Sequence, residues 1–170
     1  MKKFLVFLVF ALTLASCSTP SITREPPSNK KLVYKAYSYI DLQERRDRQE
    51  IKDLIGVDPV RYEWCAAFVN AILESNDLPT SNTVSKYPLT ARSFLNLGEE
   101  VEVWNPIEGD IVVFPRGNQG WQGHVGFFVS EIEIDGVLYY HILGGNQNNK
   151  VSIELYRANS ALGIRRQTSA

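Results

Sequence analysis

The chain has 170 residues, of which 44% are apolar and 22% charged, and its formal net charge is -1 at pH 7. This length suits a single domain whose core is stable without disulfide bonds. The small net charge excludes a basic nucleic-acid binder, because no excess of lysine and arginine is present to neutralise a phosphate backbone. Three Trp, eight Tyr and eight Phe need a buried environment and argue against a disordered chain. A four-ligand zinc site would need both cysteines and both histidines.

The first residues have the order of an export signal. Lys2 and Lys3 precede an apolar run, residues 4–14, that is short for a membrane span. Residues 14–17, Leu-Ala-Ser-Cys, resemble the lipobox of bacterial lipoproteins, in which cleavage leaves Cys17 as an acylated amino terminus. We therefore expect a signal peptide at residues 1–16 and a lipid anchor on Cys17. An ordinary signal peptide in which Cys17 is incidental is the alternative.

Residues 17–31 are rich in Ser, Pro and charge and show no apolar periodicity. Such a composition cannot bury a core, so this segment is expected to be a flexible tether between the membrane and a domain at residues 32–170. Residue 18 is Ser and not Asp, which favours sorting of the lipoprotein to the outer membrane if the cell is Gram-negative. The predicted location is the cell envelope, on the periplasmic side in such a cell.

Helical spacing of apolar residues fills the first half of the domain. Residues 33–55 predict one or two helices, with the charged stretch at 44–50 as a solvated face. Residues 64–74 predict a largely buried helix. Residues 89–97 predict a third helix that ends at a left-handed Gly98.

After Gly98 the pattern changes to short β-branched and aromatic runs separated by turn signals. The predicted strands are residues 110–114, 124–129, 137–143, 151–156 and 163–165. Asp135 and Gly136 between two of these runs are a strong hairpin signal. Helices followed by an antiparallel meander predict an α+β fold.

Cys65 is the first candidate for chemistry. If Cys17 carries lipid, Cys65 is the remaining cysteine of a protein exported to a compartment where free thiols tend to be oxidised or paired. In the first turn of a helix, the dipole and the free N–H groups lower a thiol pKa and stabilise an oxyanion. A helix that began at Asp58 and Pro59 would place Cys65 about two turns inside, too deep for that effect. A buried cysteine that only fills space is the alternative.

His124 and Asn146 extend this candidate site. His124 opens a predicted strand after a glycine-bearing segment, where an imidazole is able to take a proton from a thiol. A surface histidine is the alternative. The Asn146 amide oxygen would accept the imidazole N–H and fix the tautomer, as in Cys-His-Asn triads. His141 competes for the role of base, but strand alternation points it away from the face of Gly144 and Asn146.

Four blocks of sequence resemble a known family. They are residues 64–70 (WCAAFVN), 109–114 (GDIVVF), 123–127 (GHVGF) and 143–147 (LGGNQ). In this order they resemble the signatures of the CHAP and NlpC superfamily of bacterial and phage cysteine amidases and peptidases of peptidoglycan, and most of all a small phage-associated branch. The resemblance extends from Tyr62 to about Arg166. It implies a papain-like or NlpC-like fold, with N-terminal helices packed on a small antiparallel sheet.

The resemblance also implies roles for the candidate residues. Cys65 would be the nucleophile, His124 the base and later the acid, and Asn146 the residue that orients the imidazole. Many relatives have Glu or His in this third role, two residues before Asn146, where this chain has Gly144. The oxyanion would be held by the backbone N–H of Cys65, with Tyr62.

Aromatic side chains are the candidates for contacts with substrate. Trp64 adjoins the nucleophile, and Trp121 lies in the segment before His124. Trp104 and Tyr87 are further candidates for lining a groove that holds sugar or peptide. Packing in the core or at the rim is the alternative for each of them.

The expected activity is hydrolysis of a peptidoglycan amide bond through an acyl thioester, by an N-acetylmuramoyl-L-alanine amidase or a peptide endopeptidase, with no metal or organic cofactor. The expected partners are stem peptides and, through Cys17, a membrane; nucleic acid is not expected, and the protein is expected to be a monomer. A non-catalytic wall-binding lipoprotein is one alternative, in which Cys65 would react slowly with iodoacetamide. The others are an antibacterial effector or phage lysis protein with the same chemistry, and acyl transfer to an amine.

Overall fold

The computed structural model describes residues 29–167, so the expected signal peptide and most of the expected tether lie outside the described residues. Three α-helices come first in this part of the chain: α1 (Lys30–Tyr37), α2 (Arg48–Ile55) and α3 (Cys65–Glu74). Six strands follow: β1 (Glu99–Val101), β2 (Ile111–Pro115), β3 (Gly123–Ile134), β4 (Val137–Gln147), β5 (Lys150–Arg157) and β6 (Gly163–Arg166). Short 3₁₀ helices occupy Ser81–Thr83, Ala91–Asn96 and Ala158–Ser160.

All six strands form one antiparallel sheet in the order β1-β6-β2-β3-β4-β5. Strands β2 to β5 are a meander in which each strand pairs with the next, and β6 returns to lie between β1 and β2. Helices followed by such a sheet confirm the α+β fold predicted from the change in hydrophobic period. None of the helices among residues 29–167 is long and apolar enough to cross a membrane.

The core lies on both faces of the sheet because side chains alternate along each strand. In β2, Ile111 and Val113 belong to the larger cluster, which contains the helices, whereas Val112 and Phe114 belong to a smaller cluster. Helix α3 and its N-cap residue fill the larger cluster with the buried side chains of Trp64, Phe68, Val69, Ile72 and Leu73. This helix is apolar on most of its surface, as a helix buried between a sheet and other helices must be.

A buried ion pair joins Asp110, the residue before β2, to Arg166 of β6. Asp110 is fully buried, and its carboxylate accepts hydrogen bonds from Arg166 at 2.8 and 2.7 Å and from the backbone N–H of Ile107 at 2.8 Å. A buried carboxylate is stable only when it is paired and hydrogen-bonded in this way. The aspartate of the 109–114 block therefore has a structural role.

The two hairpins of the meander turn at residues in the left-handed conformation. Asp135 and Gly136 have φ of 51° and 75°, which confirms the predicted hairpin between β3 and β4. Asn148 and Asn149, with φ of 52° and 61°, make the corresponding turn between β4 and β5. Two successive positive φ values give a turn whose twist matches that of the strands it joins.

The structure differs from the sequence-based elements in four places. Helix α1 begins at Lys30, within the segment expected to be a flexible tether. The helix predicted at residues 89–97 is a 3₁₀ helix at Ala91–Asn96, followed by Gly98 at φ 70°. Strands β3 and β4 are longer than predicted and form a twelve-residue and an eleven-residue strand. Strand β1 was not predicted, because its Glu99 and Glu100 have low strand propensity; they lie opposite Arg166 and Arg165 of β6.

Candidate active site

Cys65 is the first residue of α3, and Trp64 is the N-cap. The helix therefore does not begin at Asp58. The carboxylate of Asp58 instead binds Arg48 and accepts a hydrogen bond from the backbone N–H of Val60. Of the two starts that the sequence allowed, the structure has the one that places the thiol in the first turn. The first intrahelical bond runs from Phe68 N–H to Trp64 O, so the N–H of Cys65 has no acceptor within the helix.

The sulfur of Cys65 lies next to strand β3. It accepts hydrogen bonds from the backbone N–H groups of Val125 and Ala66, and Val125 is the residue after His124. The side chain is buried, with 4% of the residue exposed. Burial raises the pKa of the Cys65 thiol, and the positive charge of Arg116 and the two backbone hydrogen bonds oppose this shift.

His124 is buried on β3, with 1% of its surface exposed. Its imidazole stacks on the ring of Tyr156 of β5, with ring centroids 5.2 Å apart and planes inclined by 8°, and Tyr156 stacks in turn on Phe114. Burial, assisted by the charge of Arg116, lowers the pKa of His124 to about 3, while the hydrogen bond to Gln147 opposes this shift. The imidazole is therefore neutral at physiological pH.

The hydrogen bonds of Gln147 determine which nitrogen of His124 carries the proton. The Gln147 Nε2 donates to the carbonyl oxygens of Ile142 at 3.1 Å and Ser152 at 2.6 Å, so its Oε1 faces His124 Nε2 at 3.0 Å. An amide oxygen can only accept, which places the imidazole proton on Nε2. The Nδ1 atom is buried and has no hydrogen-bond partner among the residues that the structure describes. Its lone pair is therefore available to take a proton.

The structure places Asn146 differently from the sequence-based expectation. Its Nδ2 donates to Glu63 Oε2 at 2.7 Å, and the contact with the imidazole belongs to its neighbour Gln147. A β-bulge in β4 is the cause, because Gly145 and Asn146 lie opposite the single residue Val151 of β5, and Asn146 is left-handed with φ 58°. The extra residue shifts the alternation, so that Gln147 takes the side on which Asn146 was expected.

The absence of a side chain at Gly144 makes room for this arrangement. A Cβ atom at Gly144 would lie 3.3 Å from His124 Nε2 and 3.5 Å from the amide carbon of Gln147. A side chain at position 144 would thus point at the same imidazole nitrogen. In this chain the side chain of Gln147 supplies the hydrogen bond that the residue at 144 cannot make. Sequence reasoning missed Gln147, although two glycines before an Asn within a strand are a signal for a bulge.

An open cavity of about 270 Å³ adjoins Cys65. Its lining residues come from the start of α3, from the segment before the second 3₁₀ helix and from the β2–β3 connection: Glu63, Cys65, Leu89, Thr90, Ala91, Arg116, Trp121, Gln122 and Gly123. Trp121, which the sequence made a candidate for contact with substrate, lines this cavity and is 65% exposed. Arg116 and Glu63 give the wall one positive and one negative charge, and neither was a candidate from the sequence.

The other aromatic candidates lie apart from this cavity. Trp64 is fully buried, packs edge-to-face on Phe68 and donates its indole N–H to Glu44, so its side chain is part of the core. Tyr62 and Tyr87 are exposed and do not line the cavity. Trp104 lines a separate cavity beside the turn of the β3–β4 hairpin.

The second histidine of the chain, His141, does not line the cavity that adjoins Cys65. Its Nδ1 atom lies 3.1 Å from Ser130 Oγ, far along β4 from the bulge. Within residues 29–167 no group of three or more His, Cys, Asp or Glu side chains is arranged to hold a metal ion.

A cysteine at the N-terminus of a buried helix and a histidine on a central strand of an antiparallel sheet are the arrangement of the papain-like fold class. A family model for the CHAP domain matches residues 57–146, which are 90 of the 170 residues. The chain therefore belongs to the CHAP family, whose members are typically cysteine hydrolases of peptidoglycan. No curated protein matches the chain.

A second family model, the prokaryotic membrane lipoprotein lipid attachment site, matches residues 1–18. This match confirms the lipoprotein signal predicted from the lipobox-like residues 14–17. The protein is accordingly a lipid-anchored protein of the cell envelope.

Proposed function

We propose that this lipoprotein hydrolyses an amide bond of peptidoglycan, with Cys65 as nucleophile, His124 as general base and acid, and Gln147 as the residue that orients the imidazole. The observation that carries the proposal is the hydrogen bond between Gln147 Oε1 and His124 Nε2, which leaves the buried Nδ1 unprotonated and without a partner. Membership of the CHAP family supplies the substrate class.

The pair rests in its neutral form, as a thiol and an imidazole, because burial disfavours both the thiolate and the imidazolium. As the sulfur attacks the amide carbonyl carbon, its proton passes to His124 Nδ1, and the carbonyl oxygen becomes an oxyanion. The backbone N–H of Cys65 and the positive end of α3 stabilise that negative charge. Charge is thus absent from the resting pair and develops as the sulfur attacks.

The tetrahedral intermediate then breaks down. His124 Nδ1 returns its proton to the leaving amine, the carbon–nitrogen bond breaks, and the acyl group remains on the sulfur as a thioester. Water enters, gives a proton to Nδ1 and attacks the thioester carbon. The carbon–sulfur bond breaks, the Cys65 thiolate regains the proton, and a carboxylic acid leaves.

The cleaved bond is proposed to be either the lactyl-alanine amide or a peptide bond within the stem. In a Gram-negative cell we place the enzyme at the outer membrane, facing the periplasm, because Ser18 follows the lipidated cysteine. At either bond the acyl group must enter the cavity next to Cys65. The exposed Trp121 side chain lines this cavity and would contact the substrate there.

The test is clearing of purified peptidoglycan by the mature protein, with mass spectrometry of the released fragments. The unmodified chain and a His141→Ala control are expected to clear the wall, whereas Cys65→Ala and His124→Ala are expected to lose at least about 10²-fold in rate. An equally active Cys65→Ala variant would contradict the proposal. Binding to the wall without release of any fragment would instead support the non-catalytic alternative.

A further inference from the structure

We infer that Arg116 is a specificity residue that binds a free carboxylate of the peptidoglycan stem peptide, and that Glu63 occupies the place of that carboxylate when no substrate is bound. The inference rests on the proposed function and adds to it a requirement for an anionic substrate. Arg116 and Glu63 both line the cavity that Cys65 also lines, and Asn146 is hydrogen-bonded to each of them.

The guanidinium of Arg116 is held in place by the backbone. Its Nη2 donates to the carbonyl oxygen of Asn146 at 3.2 Å, and that carbonyl belongs to the bulge in β4. The Arg116 side chain is 38% exposed. An arginine is able to donate five hydrogen bonds in a planar fork that fits a carboxylate, so the group is both positioned and accessible for an anion.

Glu63 is a weakly held partner. Its carboxylate lies 3.5 Å from Arg116 Nη1, its side chain is 80% exposed, and its shortest bond, at 2.7 Å, is to the neutral amide of Asn146. Exposed ion pairs of this kind contribute little to stability. A substrate carboxylate is therefore able to replace Glu63 on Arg116 at small cost, and Glu63 is able to turn into solvent.

The chemistry of the substrate fits this site. Stem peptides carry free carboxylates close to their amide bonds, on the D-glutamate α-carbon and at the C-terminus. A carboxylate bound on Arg116 would fix the peptide within the cavity that Cys65 also lines. Such fixed contacts position an amide for attack better than apolar contacts alone. The geometry points to a carboxylate and leaves the choice between these two positions to experiment.

The experiment uses the full mature chain with Cys65→Ala, so that binding is measured without cleavage. The probes are four synthetic stem tetrapeptides, L-Ala-γ-D-Glu-L-Lys-D-Ala, with the D-glutamate α-carboxyl and the C-terminal carboxyl each free or converted to a carboxamide. NMR titration measures the dissociation constants, including those of weak complexes in the millimolar range. Each titration is repeated with Arg116→Gln, with Arg116→Lys, with Glu63→Gln and with the control Arg61→Gln, which removes a positive charge that pairs with Asp58 outside the cavity.

One of the two free carboxylates is expected to tighten binding about tenfold over its carboxamide. Arg116→Gln should abolish this difference, Arg116→Lys should restore part of it, Glu63→Gln should increase it, and Arg61→Gln should leave it unchanged. Equal affinity for all four peptides, including no binding by any of them, would overturn the inference. If Arg116→Gln and Arg61→Gln lost the preference for the free carboxylate to the same extent, the inference would also be overturned, because the preference would then be a general charge effect.

Failure of this inference is distinguishable from failure of the proposed function. Wall clearing by the unmodified chain reports the hydrolytic activity, whereas the peptide affinities report the carboxylate site. A chain that clears the wall but does not distinguish the peptides keeps the function and loses the inference.

Discussion

At the scale of single residues, the amide of Gln147 is the group that organises the imidazole. The two shorter hydrogen bonds of its Nε2 go to backbone carbonyls, so the orientation of the amide is fixed by the strands and not by solvent. The oxygen that remains has one buried partner, His124 Nε2. A neutral amide in this position fixes the tautomer without adding the negative charge that a carboxylate would place beside the imidazole.

We predict that Gln147→Ala lowers kcat for wall hydrolysis about 10²-fold, because the imidazole is no longer held in the tautomer with a free Nδ1. Asn146→Gly is the matched comparison: it removes the neighbouring amide, and glycine accepts the left-handed φ of 58° at that position. Asn146→Gly is expected to lose much less activity than Gln147→Ala, since the Asn146 side chain that it removes binds Glu63 and not His124. Steady-state kinetics with one soluble fragment would measure both variants.

The opposite order of these two losses would assign the orienting role to Asn146, as the sequence alone suggested. Equal and small losses would indicate that the imidazole needs no third residue. Thermal unfolding of each variant separates a loss of activity from a loss of fold.

At the scale of elements, the contact between α3 and β4 sets the position of Cys65. Gly145 is the point of closest approach: a Cβ atom there would lie 2.5 Å from Trp64 Cζ3 and 2.7 Å from Phe68 Cβ. Both of these residues are fully buried, so neither has space to move aside. The glycine lets the bulged strand pack directly on the first turn of the helix that carries the thiol.

We predict that Gly145→Ala destabilises the fold by about 1–3 kcal/mol through overpacking. The same change should lower kcat about tenfold or more by displacing the first turn of α3. Gly120→Ala is the control, because a Cβ atom at that glycine meets nothing within 4 Å. Chemical denaturation measures the first effect and wall hydrolysis the second. Unchanged stability in Gly145→Ala would show that α3 is free to shift away from β4.

Local sequence patterns determine whether each main element is a helix or a strand, but they do not determine its first and last residues. The period of apolar residues predicted the helical and strand halves, and the Asp135-Gly136 signal located one hairpin, because these features depend on neighbours in sequence. Strand β1 was not predicted, because its glutamates form a strand only opposite the arginines of β6. The 3₁₀ form of residues 91–96 likewise depends on tertiary packing, which overrides propensity in short segments.

At the scale of the whole molecule, the buried histidine links stability to pH. In the folded state the pKa of His124 is lowered from its usual 6.5 to about 3, mainly by burial. Between these two values the unfolded chain binds a proton at this position and the folded chain does not. Unfolding is therefore favoured as the pH falls from 6.5 towards 3, by up to about 1.4 kcal/mol per pH unit.

We predict that replacing the imidazole, as in His124→Gln, makes the free energy of unfolding less sensitive to acid. Between pH 7 and pH 5 the unmodified chain should lose about 2 kcal/mol more than the variant, even if the variant is less stable at pH 7. Carboxylates contribute equally to both proteins and cancel in the difference. Urea denaturation at a series of pH values gives the measurement, and parallel curves would show that the imidazole is not buried in its neutral form.

The class of this protein can be read from its chain alone, through the lipoprotein signal, the order of helices and strands, and the motif blocks around Cys65 and His124. These features depend on local composition, periodicity and short motifs, which a single chain displays directly. Three-dimensional packing establishes that α3 begins at Cys65, that Gln147 and not Asn146 contacts the imidazole, and that Arg116 and Glu63 meet at the cavity. Each of these depends on how distant segments pack, and a bulge of one residue in β4 is enough to exchange the side chains of Asn146 and Gln147.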